Sequence, residues 1–182
     1  MRTNTIGAKY LVVGVILAAF VAALVAVVRT TAASAHVAQG APAALLQPVV
    51  ALVVLTAIVL LMTVVYRNVA LIRGAVSARY FRTFTAEMPA EWVERPTRTY
   101  MNLLELPVLF YVVCLLMLTT GRFDAVQVSL AWVFVITRYV HAFIYIGFND
   151  VPLRFAAFLT GVFTLAVLWT RFAEQNLNGP LS

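Results

Sequence analysis

The stretch Arg95-Pro96-Thr97-Arg98-Thr99-Tyr100-Met101-Asn102-Leu103-Leu104-Glu105-Leu106-Pro107-Val108-Leu109-Phe110 passes from charged to apolar within a few residues. Arg98, Asn102 and Glu105 are spaced i, i+4, i+7. At 100° per residue, seven residues turn through about 700°, roughly 20° from two full turns, so the three share one helix face. A cation, an amide and a carboxylate thus stand in a row at the entrance to an uncharged run from Leu106 to Gly121. The plain explanation is an Arg–Glu pair that satisfies itself at a membrane surface. The functional explanation is a polar face that receives a ligand.

Composition says which solvent surrounds this face. Of 182 residues, 63% are hydrophobic and 11% charged, against about half and a quarter in an ordinary soluble domain. These values exclude a soluble globular protein and a disordered one. A single cysteine, Cys114, inside an apolar run excludes a disulfide scaffold. Net charge is +6, and 12 of the 13 basic residues are Arg, a bias associated with GC-rich bacterial genomes. Nucleic acid is not an expected partner.

A bilayer core of about 30 Å takes about 20 apolar residues as a helix. Five charge-free stretches qualify or nearly do: Tyr10 to Val28, Ala41 to Tyr66, Leu106 to Gly121, Ala125 to Asn149 (interrupted by Arg138), and Phe155 to Thr170. The last three reach full length only if polar residues at their ends join the helix. No strand-like alternation is present, so a membrane barrel is excluded and an all-α integral membrane bundle remains. The first stretch, with Arg2 and Lys9 before it and Ala33-Ser34-Ala35 after it, also resembles a cleavable signal segment. Its 19 residues exceed the usual signal core of about 7–15, and it is read as a fifth span. Arg67, Arg73, Arg79, Arg82, Arg95 and Arg98 lie between the second and third spans, so residues 67–103 are expected on the cytoplasmic side. This topology puts nine basic residues inside and three outside, with Arg138 in the membrane.

Ionisable groups in lipid are costly and point to function. Arg138, His141 and Tyr145 form a second stripe at i, i+3, i+7. Arg138 lies about nine residues from the helix end near Gly147, hence roughly 13 Å deep. An arginine there calls for an anion, and Glu105 is the acidic side chain expected at that depth. Either the two pair directly or both address a polar ligand between helices. A lone His141 would be an ordinary core histidine; in this row it joins the candidate site. Asn149-Asp150-Val151-Pro152-Leu153-Arg154 opens the last span, with Asp150 suited to an N-cap and Pro152 to the first turn. Arg154 opposes the helix dipole there. It is either an interfacial anchor or, together with free N–H groups, an attractor for an anion such as a thiolate. Metal-ligand spacing is absent from the sequence, and no metal is expected. His36 reads as a solvated loop residue.

The run from Arg95 to Phe110, followed by Arg138-x-x-His141-x-x-x-Tyr145 and Pro152-x-Arg154, resembles the MAPEG superfamily, membrane-associated proteins in eicosanoid and glutathione metabolism. The Asn102-to-Tyr111 string looks like its bacterial branch. The resemblance covers roughly residues 50 to 172. It implies a four-helix membrane bundle over residues 41–182, preceded by an extra N-terminal transmembrane helix or signal-like segment within residues 1–40. It also implies a homotrimer that holds glutathione, as cosubstrate, between subunits near the cytoplasmic face. In a bacterium that face belongs to the inner membrane. On this resemblance Arg67, Arg98, Asn102, Glu105, Arg138, His141 and Tyr145 fall on glutathione-binding positions, with Arg73 an alternative to Arg67. Arg154 falls on the arginine that stabilises the thiolate. Phe155 stands where prostaglandin-forming members have Ser, so a mechanism through that hydroxyl is not implied. The implied activity is a glutathione transferase or peroxidase acting on lipophilic electrophiles or lipid hydroperoxides. Its alternative is a non-catalytic lipid-binding or scaffold protein of the same fold.

Overall fold

The structure is a computed structural model that describes residues 42–77, 80 and 89–177. Four helices follow one another: α1 (Pro42–Ile72), α2 (Glu91–Thr120), α3 (Ala125–Ile146) and α4 (Val151–Leu177). All four are long and apolar enough to cross a membrane. The chain is an integral, multi-pass membrane protein. The expected extra span from Tyr10 to Val28 lies outside the described residues.

Helices α1, α2 and α4 are longer than their charge-free stretches, whereas α3 ends at Ile146, short of Asn149. Helix α2 begins 15 residues before Leu106 and so takes in Arg95, Arg98, Asn102 and Glu105. Much of the stretch expected to link two spans is therefore helix, and the polar row rides on a continuous rod. Pro96 and Pro107 lie inside it. Each removes one backbone donor, a loss that neighbouring helices and side chains make tolerable in a bundle. Threonines at membrane depth satisfy themselves: Thr56, Thr63 and Thr164 each donate to the carbonyl four residues back, at 2.8–2.9 Å.

Two four-residue connections force antiparallel neighbours. Between α2 and α3, Gly121 takes a left-handed φ of 65° that ends α2. Asp124 then caps α3, accepting from Gln127 N while the Gln127 side chain accepts from Asp124 N, both at 2.9 Å. Between α3 and α4, Asp150 Oδ1 accepts from Leu153 N at 3.1 Å, the cap read from the sequence.

Helix α3 packs against all three others and is the most buried of the four. Phe110 of α2 stacks on Phe134 of α3 with centroids 4.8 Å apart, and both are fully buried. Lipid is as apolar as these side chains, so close packing rather than water exclusion holds the helices together. Residues such as Leu46, Val50, Val53, Ile58 and Leu61 face outward, as a lipid-facing surface requires.

The far end of the bundle is closed by a buried pair. Arg171 Nη2 donates to Asp124 Oδ2 at 2.7 Å, and Gln175 Nε2 donates to the same oxygen at 3.2 Å. Asp124 thus caps α3 and binds α4 at once.

Candidate functional site

The near end is open. There the start of α2 meets the α3–α4 turn, and the contacts are polar. Arg95 pairs with Glu91 at 3.0 Å and donates to Gly147 O at 2.7 Å. Asn149 Nδ2 donates to Glu91 Oε1 at 2.6 Å, and Arg154 Nη1 donates to Asn149 Oδ1 at 2.5 Å. The Arg154 guanidinium lies 4.0 Å from the centre of the Tyr145 ring, within cation–π range. His141 Nδ1 is 3.1 Å from Arg154 O. A carbonyl only accepts, so Nδ1 carries the proton in this contact.

Two clefts adjoin this cluster. The first, of about 340 Å³, is bordered by Glu91, Glu94, Arg95, Arg98, Tyr145 and Arg154 among others. The second, of about 280 Å³, is bordered by Asn102, His141, Pro152, Arg154, Phe155 and Phe158 among others. Arg154 borders both. One cleft is therefore rich in charge, and the other has two aromatic walls.

The residues singled out in the sequence distribute unevenly. Arg98, Tyr145 and Arg154 meet at the first cleft, while Asn102, His141 and Arg154 meet at the second. Arg67 stands near the end of α1, where its charge and that of Arg98 both act on the Tyr80 phenol. Tyr80 donates to Glu94 at 3.4 Å, and its titration is pushed up by burial and by that carboxylate. Arg98 and Glu105 are exposed and Asn102 half-buried, so this face of α2 looks out of the single chain.

Arg138 is placed differently. It is 1% exposed, and its Nη2 donates to Ala157 O and Phe158 O of α4 at 3.2 and 3.1 Å. Its guanidinium lies 5.3 Å from the Phe134 ring centre and 5.5 Å from that of Phe158. Gly161 leaves the room it occupies, since a Cβ there would collide with the guanidinium. No ion pair joins Arg138 to Glu105 among the described residues. Helix carbonyls and ring faces, rather than a carboxylate, surround this charge.

Glu91, Arg95 and Asn149 are not among the site residues that the sequence points to. Glu91 and Arg95 carry an i, i+4 signal, but it lies in a stretch read as a connection. Asn149 reads as a turn residue beside Asp150, and nothing local shows that its amide reaches α2.

Residues 45–173, more than two thirds of the chain, match the MAPEG family. The chain belongs to this family. The match takes in the polar row of α2, the Arg138 stripe and Arg154, and it ends within α4. The four described helices agree with the MAPEG four-helix bundle. The chain matches no curated protein and no solved structure. No cluster of three metal-ligating side chains occurs among the described residues of this MAPEG protein.

Proposed function

We propose that the chain is a glutathione-dependent membrane enzyme in which Arg154 holds the thiolate and a lipophilic acceptor reaches the sulfur from the aromatic cleft. The observation that carries this reading is the position of Arg154, which borders both the charged cleft and the one walled by Phe155 and Phe158. A guanidinium there lowers the energy of a thiolate at the boundary between a polar ligand and an apolar one.

Glutathione offers two carboxylates, an ammonium group and two peptide amides. Arg98 and Arg67 suit the carboxylates, Glu105 the ammonium and Asn102 an amide. Tyr145 supports Arg154 from below, and His141 holds its backbone. Arg138 stands behind the site and sets the seat of α4. Because Arg98 and Glu105 look outward, a neighbouring subunit completes the enclosure, in keeping with a homotrimer. The open end faces the cytoplasm, where glutathione is supplied.

In conjugation, the thiol proton passes to water as the thiolate forms. Sulfur then bonds to the electrophilic carbon while the leaving group departs with its electron pair. With a hydroperoxide, sulfur takes the terminal oxygen, the O–O bond breaks, and the alkoxide is protonated to the alcohol. A second glutathione displaces water from the sulfenic acid to give the disulfide.

The test is turnover of a chlorinated dinitrobenzene by the purified protein with glutathione, together with the ultraviolet band of a bound thiolate. Thiol-dependent turnover and a thiolate at neutral pH are the expected results. Absence of both overturns the reading and favours a lipid-binding scaffold.

A further inference from the structure

We propose that Asn149 is a positioning residue that holds the Arg154 guanidinium without neutralising it, and so sets how strongly the site stabilises a thiolate. The inference rests on the reading of Arg154 given above and assigns a role to a residue outside it.

Asn149 bridges two charged groups of opposite sign. Its Nδ2 donates to Glu91 Oε1 at 2.6 Å and its Oδ1 accepts from Arg154 Nη1 at 2.5 Å. A carboxylate only accepts and a guanidinium only donates, so the amide has one orientation and no flipped alternative. Glu91 is itself held by Arg95, which reaches back to Gly147 O. The start of α2 and the α3–α4 turn therefore close a ring around the Asn149 amide. Tyr145 fixes the other side of the guanidinium.

Every partner of the Arg154 guanidinium among the described residues is neutral: an amide oxygen and an aromatic ring. The charges that face it are Glu91, Glu94, Arg95 and Arg98 from α2, and none of them forms an ion pair with it. Asp150, the nearest acid in sequence, is engaged with Leu153 N. A carboxylate in place of the amide would pair with Arg154 directly and cancel the field that an incoming thiolate needs, because Coulomb attraction weakens as distance grows. The amide keeps Glu91 one side chain away. Guidance and charge are thus separated.

The backbone supports this choice. Asn149 has a φ of 50°, in the left-handed region that Asn, Asp and Gly adopt more readily than other residues. Asn149→Gly and Asn149→Asp therefore both suit the turn. Glycine deletes the tether, whereas aspartate keeps the acceptor for Arg154, adds a charge beside it and gives up the hydrogen bond to Glu91 Oε1.

The experiment uses the full chain with glutathione, titrating the bound thiol through its ultraviolet thiolate band and measuring kcat and KM with a chlorinated dinitrobenzene. For Asn149→Asp, the bound thiol is expected to titrate about one pH unit higher or more, the size of shift that a directly paired opposite charge produces. Asn149→Gly is expected to lower kcat about tenfold, since small misplacements of a catalytic group are costly, with KM for glutathione changing much less. A merely structural role would not move the thiol titration. A bound thiolate in the parent protein with unchanged titration in Asn149→Asp overturns the inference and leaves the reading of Arg154 intact. Unchanged kcat in Asn149→Gly also overturns it. Absence of a bound thiolate in the parent removes both.

Discussion

The guanidinium of Arg154 rests on the ring of Tyr145, 4.0 Å from its centre, and its Nη1 reaches Asn149. A cation held over a ring has that side covered, and the N–H groups other than the one on Asn149 are left for an anion. The proposed thiolate-holding role makes use of this contact, whereas an interfacial anchor would extend its head into water.

Replacing Arg154 therefore separates the two roles. Arg154→Ala is expected to lower turnover at least about tenfold, which is 1.4 kcal/mol of transition-state stabilisation, with glutathione affinity falling less. Arg154→Lys should restore only part of the loss, because an ammonium lacks the planar fork and its stacking on the ring. Full activity in the lysine variant would reduce the residue to an anchor.

Gly161 and Arg138 form a second testable pair. Since a Cβ at position 161 would collide with the Arg138 guanidinium, Gly161→Ala should destabilise the protein by about 1–3 kcal/mol through overpacking. Shortening the partner to Met should recover part of this cost, so the double variant departs from additivity. Thermal inactivation of the four proteins in one detergent gives the comparison. Strict additivity would mean that the two residues do not compete for the same space.

At the far end, the Asp124–Arg171 pair should govern stability and not chemistry. Both side chains are nearly buried, and loss of one partner from a buried pair costs about 3–5 kcal/mol. Asp124→Ala also removes the cap of α3, so it should be more damaging than Arg171→Leu. KM for glutathione, measured on the fraction that remains folded, should not change in either.

Topology is open to direct labelling. Exposed Ser77 follows α1, and exposed Thr119 lies near the end of α2. In a Cys114→Ala background, a cysteine at 119 should react with an impermeant reagent added outside intact cells, and one at 77 should not. The reverse pattern would invert the bundle and place the Arg154 cluster on the outer side.

How far these features could be read in the sequence depended on the range of the interaction. The Asp150 cap and the helical face of Arg98, Asn102 and Glu105 are local, and spacing alone reveals them. The start of α2 at Glu91 was hidden because charge and Pro96 resemble a connection, although the first turns of a membrane helix can lie outside the hydrocarbon. Arg138 showed the limit of reasoning from charge. From the sequence it either pairs with Glu105 or addresses a polar ligand between helices; no such pair occurs among the described residues, and the carbonyls that α4 supplies depend on helix–helix contact and on Gly161, 23 positions away. The Asp124–Arg171 and Glu91–Asn149 contacts span 47 and 58 positions, and no periodicity encodes them.

The length of α2 has a kinetic consequence. Its 30 residues make a rod of about 45 Å, against a hydrocarbon core of about 30 Å, so about ten residues stand clear of the oil. The charged cleft lies along the first turns of this helix, from Glu91 to Arg98, while Asn102, Phe155 and Phe158 border the second cleft. For the proposed chemistry, the two reactants arrive from different phases, one counted per litre of water and the other per mole of lipid. Adding inert lipid or detergent at fixed protein should therefore raise the apparent KM for the acceptor in proportion to the added amphiphile, by surface dilution, and leave the KM for glutathione where it was.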